Sequence, residues 1–344
     1  MNEDDILNEN EYLYEVGKIR DRILKEPICN CMCPQCANRP IYSHVFQKEG
    51  VLREISINGK VMAFSYKNLF ETKKAGIPVC YKEVGIHETF GFYGFCKTHD
   101  NSLFAPIEPV KKRVDWYNEN NQYLLAYRTL CRECYIQLVV KSMFEEYMIK
   151  FSLSEEKFMQ CLSEISNCNT SIYVFEKYKL LLEKGINDKN YSQYKFKVIE
   201  LPFRLELCLA SPVNIYEECK GPNWGDEDKI TDTINIVNVF PYKERTVIMI
   251  GFLQGEKNRW ASDIFQKLSS ENLEDVCIAL QDIIFRSEFH CMSKTLYDEI
   301  KSEIPLFLNE WTFLLRNHNY TLSYNSNIFR KYIFKQFGYT YEVM

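Results

Sequence analysis

Apolar positions recur every three or four residues along some stretches of the chain and alternate along others, which predicts a mixture of amphipathic helices and short strands. Leu13, Val16, Ile19, Ile23 and Leu24 predict a helix over residues 10–25, ended by Pro27. Ser43 reads as the cap of a second helix carrying Val45, Leu52 and Ile55. Asn58-Gly59 then supplies either that helix's stop or a tight turn into residues 61–66, and the helix stop is favoured. Residues 79–84 and 89–95 read as strands, with Gly91 and Gly94 permitting a tight backbone path. No Gly or Pro interrupts residues 116–151, where Leu124, Tyr127, Leu130, Cys131, Cys134, Leu138 and Phe144 keep helical spacing, so one long helix is expected. Ser152-Leu153-Ser154-Glu155 resembles a capping box opening a helix to Ser166, and a further helix runs from Thr170 to a stop at Gly185.

Beyond the polar run at 187–190 the pattern turns to strands at 194–199, 203–209, 234–240 and 246–252, the last two forming a hairpin. Ser211-Pro212 and the Gly221–Gly225 stretch around Trp224 read as loops, and helices return at 261–268, 272–285 and 293–307. The expected class is α+β, with an N-terminal zinc-knuckle, treble-clef-like unit (1–115), a helical middle (116–190) and a mixed α+β C-terminal part (191–344).

Composition narrows the function classes. At 344 residues the chain exceeds one ordinary core, and its 46% apolar content excludes wholesale disorder. With 23 Tyr, many phenol hydroxyls must find partners inside. A net charge of −5 argues against a surface coated for non-specific nucleic-acid binding, and the strongest basic cluster is Lys111-Lys112-Arg113. No apolar run is long enough to span a bilayer and the first residues are acidic, so a cytoplasmic protein without membrane contact is expected.

Cysteine placement carries the sharpest chemistry. Cys33-Pro34-Gln35-Cys36 is answered by Cys96-Lys97-Thr98-His99, two ligand pairs with the two-residue gaps of a tetrahedral zinc. Cys33, Cys36, Cys96 and His99 are the expected ligands of a structural Zn2+, although Cys29 and Cys31 offer other pairings. Cys161, Cys208 and Cys277 lie in apolar segments and read as core residues, as do Cys131 and Cys134 on the long helix. There, Arg128, Arg132 and Glu133 are available for ion pairs to the zinc unit. Phosphate-binding glycine loops and the Gly-x-Ser-x-Gly nucleophile motif are absent from the sequence, so nucleotide-driven and α/β-hydrolase chemistry has no support.

The stretch from Cys33 to Glu108, with Ser43-His44 and the run Phe95-Cys96-Lys97-Thr98-His99-Asp100, resembles a group of uncharacterised bacterial proteins associated with phage defence. More loosely, it is similar to zinc-bearing HNH (His-Me finger) nucleases, whose fold is a ββα treble clef. That resemblance implies His44 as general base and Asp100 or Asn101 as ligand of a catalytic Mg2+ or Mn2+, acting on nucleic acid. This chain departs from the HNH pattern in carrying Ser43 before the histidine and Asp100 just after the second ligand pair. The rival expectation is a non-catalytic, zinc-stabilised scaffold or sensor that binds a protein partner of a defence system. A substrate channel would require Lys48, Arg53, Lys60 and Lys67 to gather around His44.

Overall fold

The computed structural model describes residues 9–67, 69–108, 114–215, 233–255, 258–317 and 326–339. Lys111-Lys112-Arg113 and the stretch around Trp224 lie outside the described residues. Helix α1 (Glu9–Ile23) leads through the cysteine-rich loop to β1 (Ile41–His44). A wide helical turn at Lys48–Leu52 runs into α2 (Arg53–Ile55), followed by β2 (Lys60–Tyr66), α3 (Leu69–Ala75), β3 (Val79–Gly85), β4 (Gly91–Phe95) and α4 (Lys97–Leu103). The long helices α5 (Glu119–Lys150) and α6 (Glu155–Asp188) form an antiparallel pair. Strands β5 (Tyr194–Leu201), β6 (Leu207–Ile215), β7 (Thr233–Tyr242) and β8 (Arg245–Leu253) precede α7 (Arg259–Leu268) and α8 (Leu273–Phe285). The short β9 (His290–Met292) is followed by α9 (Lys294–Ile300), α10 (Ile304–Asn317) and α11 (Arg330–Gln336). No helix among the described residues is long and apolar enough to cross a membrane.

The architecture is α+β, organised on a seven-stranded antiparallel sheet in the order β3-β2-β9-β6-β7-β8-β5. Side chains alternate between its faces, and both faces are buried. Ile236, Phe240, Val247 and Met249 join a core with α5, α1 and the cysteine loop. Val237, Val239, Ile248 and Ile250 join a second core under α7, α8, α10 and α11. This two-sided burial explains why β7 and β8 read as nearly continuous apolar runs. Two strands of the sheet, β2 and β3, come from the first 115 residues and reach the others through β9, where Met62 pairs with Met292 and Ala63 with Cys291.

Several local expectations change. Ser43 is not a helix cap: it lies in β1, buried, paired with Phe92 of β4. The following helix ends at Ile55, and Asn58 and Gly59, both at positive φ, make the tight turn into β2 instead of a helix stop. The two helices expected between 152 and 185 are one, since no Gly or Pro interrupts 155–184 and Thr170 returns its hydroxyl to the Ser166 carbonyl at 3.1 Å within the helix. Gly185 does not end α6; a Cβ there would meet the Tyr123 ring at 2.4 Å, so the glycine serves α5–α6 packing. Pro212 lies within β6 and not in a loop, tolerated because β9 pairs with β6 only at Leu207–Leu209. The stretch at 293–307 divides into α9 and α10.

The buried phenols find partners as composition requires. The Tyr123 hydroxyl donates to the Tyr194 carbonyl at 2.6 Å, and that of Tyr194 to the Ile234 carbonyl at 3.0 Å. The Tyr81 hydroxyl lies 2.6 Å from Nε2 of His290, which is buried in β9 and stacked on Phe64. Burial holds the His290 imidazole down at about 3, against an ordinary value of 6.5. Between those values an unfolded chain takes up a proton that the folded one refuses, so stability falls as pH drops from about 6.5 towards 3. His290→Phe should keep the stacking and flatten this dependence. Urea midpoints at pH 7 and pH ~4.5 test it: a variant as acid-sensitive as the wild type would show that His290 does not set the slope.

Candidate metal centre

The cysteine loop, β4 and the start of α4 bring four donor atoms together. Cys31, Cys36, Cys96 and His99 place their ligand atoms within 4.8 Å of one another. Sγ of Cys36 and Cys96 are 3.9 Å apart, and Sγ of Cys31 and of Cys96 each lie 3.4 Å from Nδ1 of His99. Tetrahedral zinc with sulfur at about 2.3 Å and nitrogen at about 2.0 Å needs ligand edges of about 3.5–3.8 Å, so the donor set and its spacing fit that ion. Three thiolates and one imidazole complete four-coordination and leave no position for substrate.

Cys36, Cys96 and His99 are three of the residues expected from sequence, but Cys31 stands where Cys33 was placed. The backbone sets this choice. The Cys31 N–H donates to the Asn38 carbonyl at 3.0 Å, the Cys96 N–H donates to the Cys31 sulfur at 3.2 Å, and the Met32 N–H ties the loop to the Gly94 carbonyl at 2.8 Å. Cys33 contributes its carbonyl, which accepts from the Cys36 N–H at 3.3 Å, while Gln35 takes φ +60° to make the knuckle turn. The Cys33 side chain lines a recess with Tyr127 and Glu183, and burial pushes its thiol up to about 12. Burial also raises the Cys31 thiol, so position and not acidity separates the two. Hydrogen bonding from the His99 backbone and from neighbouring side chains brings the Cys96 thiol down to about 7.

Beside the metal centre, β1 and β4 pair antiparallel and α4 follows, a ββα order. Gly91 opposes His44, and a Cβ there would strike the Tyr42 ring at 2.3 Å. His44 ends β1, half-buried, with its Nε2 3.1 Å from the His87 carbonyl and its ring edge-on to Tyr42. Its pKa is lowered by burial, with Arg128 and Lys48 acting the same way and the His87 carbonyl and Asp100 opposing.

Asp100 lies on α4 with its carboxylate already engaged. Arg128 of α5, 2% exposed, donates to Asp100 at 2.8 Å and to Glu108 with its other terminal nitrogen, and its guanidinium sits 4.4 Å over the Phe104 ring. Asn101 is exposed on the same helix. Of the basic residues that a channel at His44 would require, Lys48 and Arg53 pair with Glu49, and Lys60 with Glu83 at 3.0 Å. Lys67 stands past the end of β2 beside a different cleft. Cys131, Cys134, Cys161, Cys208 and Cys277 are buried as expected.

Sequence reading missed Cys31, although the Cys-x-Cys-x-Cys run around it left that pairing open. It placed Arg128 among residues available to the zinc unit, but nothing in the sequence marked Glu108 as the second partner. Comparison with protein-family models, with curated proteins and with solved structures finds no match to this chain.

Two measurements check this centre. Zinc content after dialysis against a chelator should fall sharply in Cys31→Ser and hold in Cys33→Ser; the reverse would return the fourth ligand to Cys33. Arg128→Met should cost about 3–5 kcal/mol in denaturant unfolding, because two carboxylates lose their shared cation inside the protein. A loss under about 1 kcal/mol would mean that solvent already satisfies them.

Proposed function

We propose that this protein is a non-catalytic, zinc-stabilised scaffold that binds a protein partner, acting in bacterial defence against phage. The engagement of Asp100 carries the reading. An HNH-type centre would need an open oxygen ligand near His44, whereas this carboxylate is spent on Arg128 together with that of Glu108. The pairing of Lys48, Arg53 and Lys60 with Glu49 and Glu83 adds to it, since a duplex-gripping nuclease would leave such cations free for phosphate. Apolar side chains exposed around the α5–α6 turn, among them Ile149 at 86%, Phe158 and Met159, suit a protein-facing surface. The defence setting rests on the sequence resemblance alone.

The second reading is metal-assisted phosphodiester hydrolysis, with His44 as base and Asn101 as oxygen ligand to Mg2+ or Mn2+. Two observations favour it: the ββα order that puts His44 and α4 on one unit, and the carbonyl contact that orients the imidazole. Incubating the zinc-loaded protein with supercoiled plasmid and with RNA in Mg2+ or Mn2+ separates the two. The scaffold reading expects no cleavage under any of these conditions. Cation-dependent cleavage that disappears in His44→Ala, with zinc content unchanged, would replace it with the hydrolytic one.

A further inference from the structure

Cys33-Pro34-Gln35-Cys36 has the spacing of a ligand pair, yet only Cys36 joins the donor cluster. Its other thiol is left beside the centre with no metal to hold. The turn that carries the motif fixes how far apart the two cysteines stand. Pro34 and Gln35 form its corner, with Gln35 at φ +60°, and the Cys36 N–H closes it on the Cys33 carbonyl at 3.3 Å. A proline followed by a residue at positive φ gives the turn type II form, whose end Cα atoms lie within about 7 Å. Disulfides span Cα separations of about 4.4–6.8 Å, so the two cysteines stand near bridging distance. The Cys33 sulfur is also close enough to those of Cys31 and Cys36 to feel their charge.

Surroundings distinguish Cys36 from the other sulfur donors. Cys31 and Cys96 are buried and the Cys31 sulfur accepts the Cys96 N–H, whereas Cys36 is half-buried. Cys33 lines a recess of about 450 Å³ with Pro34, His99, Tyr127 and Glu183. Of the three sulfur donors, Cys36 is therefore the most open to a small oxidant, and a spare thiol waits at the other end of its own turn. Cys29, the loop's other cysteine outside the cluster, turns instead to the Tyr93 carbonyl at 3.9 Å.

We propose that Cys33 and Cys36 are an oxidant-sensing thiol pair that opens the metal centre: peroxide converts them to a disulfide, and the centre loses one of its four ligands. In the first step the Cys36 thiolate attacks one oxygen of hydrogen peroxide, the O–O bond breaks and hydroxide leaves, so that Cys36 becomes a sulfenic acid. In the second the Cys33 sulfur attacks that of Cys36, the S–O bond breaks, and the oxygen departs as water with the Cys33 proton. The two cysteines give up two electrons and the peroxide takes them up. Cys31, Cys96 and His99 alone hold zinc far more weakly than the complete set. Arg128 still binds Asp100, so α4 stays on α5 while the cysteine loop is released from it. The switch goes beyond both the scaffold and the hydrolytic readings and depends on neither.

Exposing the zinc-loaded full chain to a small excess of hydrogen peroxide tests this, with released zinc read by a coloured chelator and cysteine pairing by peptide mass spectrometry. The wild type should release its zinc, yield a Cys33–Cys36 disulfide, and take zinc up again after dithiothreitol. Cys33→Ser and Cys33→Ala should load zinc as the wild type does and release it about tenfold more slowly, with Cys36 ending as a sulfinic acid that dithiothreitol does not reverse. The control Cys29→Ser should behave as the wild type. Zinc retained by the wild type, release from both Cys33 variants at the wild-type rate, or a map joining Cys36 to Cys96 or Cys31 would each overturn the proposal. So would Cys33 variants that load no zinc before peroxide is added, because Cys33 would then be a ligand.

Discussion

The Arg128 guanidinium is the interaction on which the N-terminal half depends. It is the point at which α5 is bonded at once to α4, through Asp100, and to the segment beyond it, through Glu108. A charge buried this deeply is tolerated only when its partners are in place, so the cysteine loop, the β1–β4 strand pair and α5 must assemble together. The Cys3His cluster and the ion pairs are complementary constraints. The four donors tie the cysteine loop to the start of α4, and Arg128 fixes α4 against the helix that crosses the sheet.

That helix also transmits the arrangement to the sheet. Thr129 accepts a hydrogen bond from Asn238 of β7 at 2.9 Å, and Tyr123 clasps the backbone of Tyr194 in β5. Directional bonds of this kind, spaced along one face of α5, fix its rotation and register where apolar packing alone would allow sliding. The donor cluster and the cleft beside Lys67 thus both meet α5, through Arg128 and Arg132, a single turn apart on one face of the helix.

Much of this organisation was legible in the residues. Periodicity marked α1, α5, α7 and α8, and β7 and β8 were visible as long β-favouring runs, nearly continuous in apolar residues because both faces of the sheet are buried. The α+β class and a Cys3His centre near the N-terminus followed from pattern and spacing. What stayed hidden was decided by distant partners. Spacing favours Cys33 over Cys31, and the hydrogen bonds to Asn38 and Cys96 that bring Cys31 to the cluster form only in the folded loop. Similarly, β9 has three residues and no period to read, and Gly185 looks like a helix stop until the Tyr123 ring is seen against it. Asp100 looked like a free ligand because its cation is supplied from α5.

The place of β2 and β3 in the sheet bears on how the chain acquires its shape. These early strands cannot join β6 directly; they wait for β9, and Met62 meets Met292 only after almost all of the intervening chain is present. Closing so long a loop is entropically slow, and until it happens the β2–β3 hairpin has an open edge and an uncovered apolar face. On a ribosome, the cysteine loop can settle against β4 and α4 early while this hairpin stays exposed. The stage at which the chain is most open to mispairing or proteolysis therefore falls late in synthesis, and it ends when three residues, His290–Met292, add themselves between two ready-made parts of the sheet.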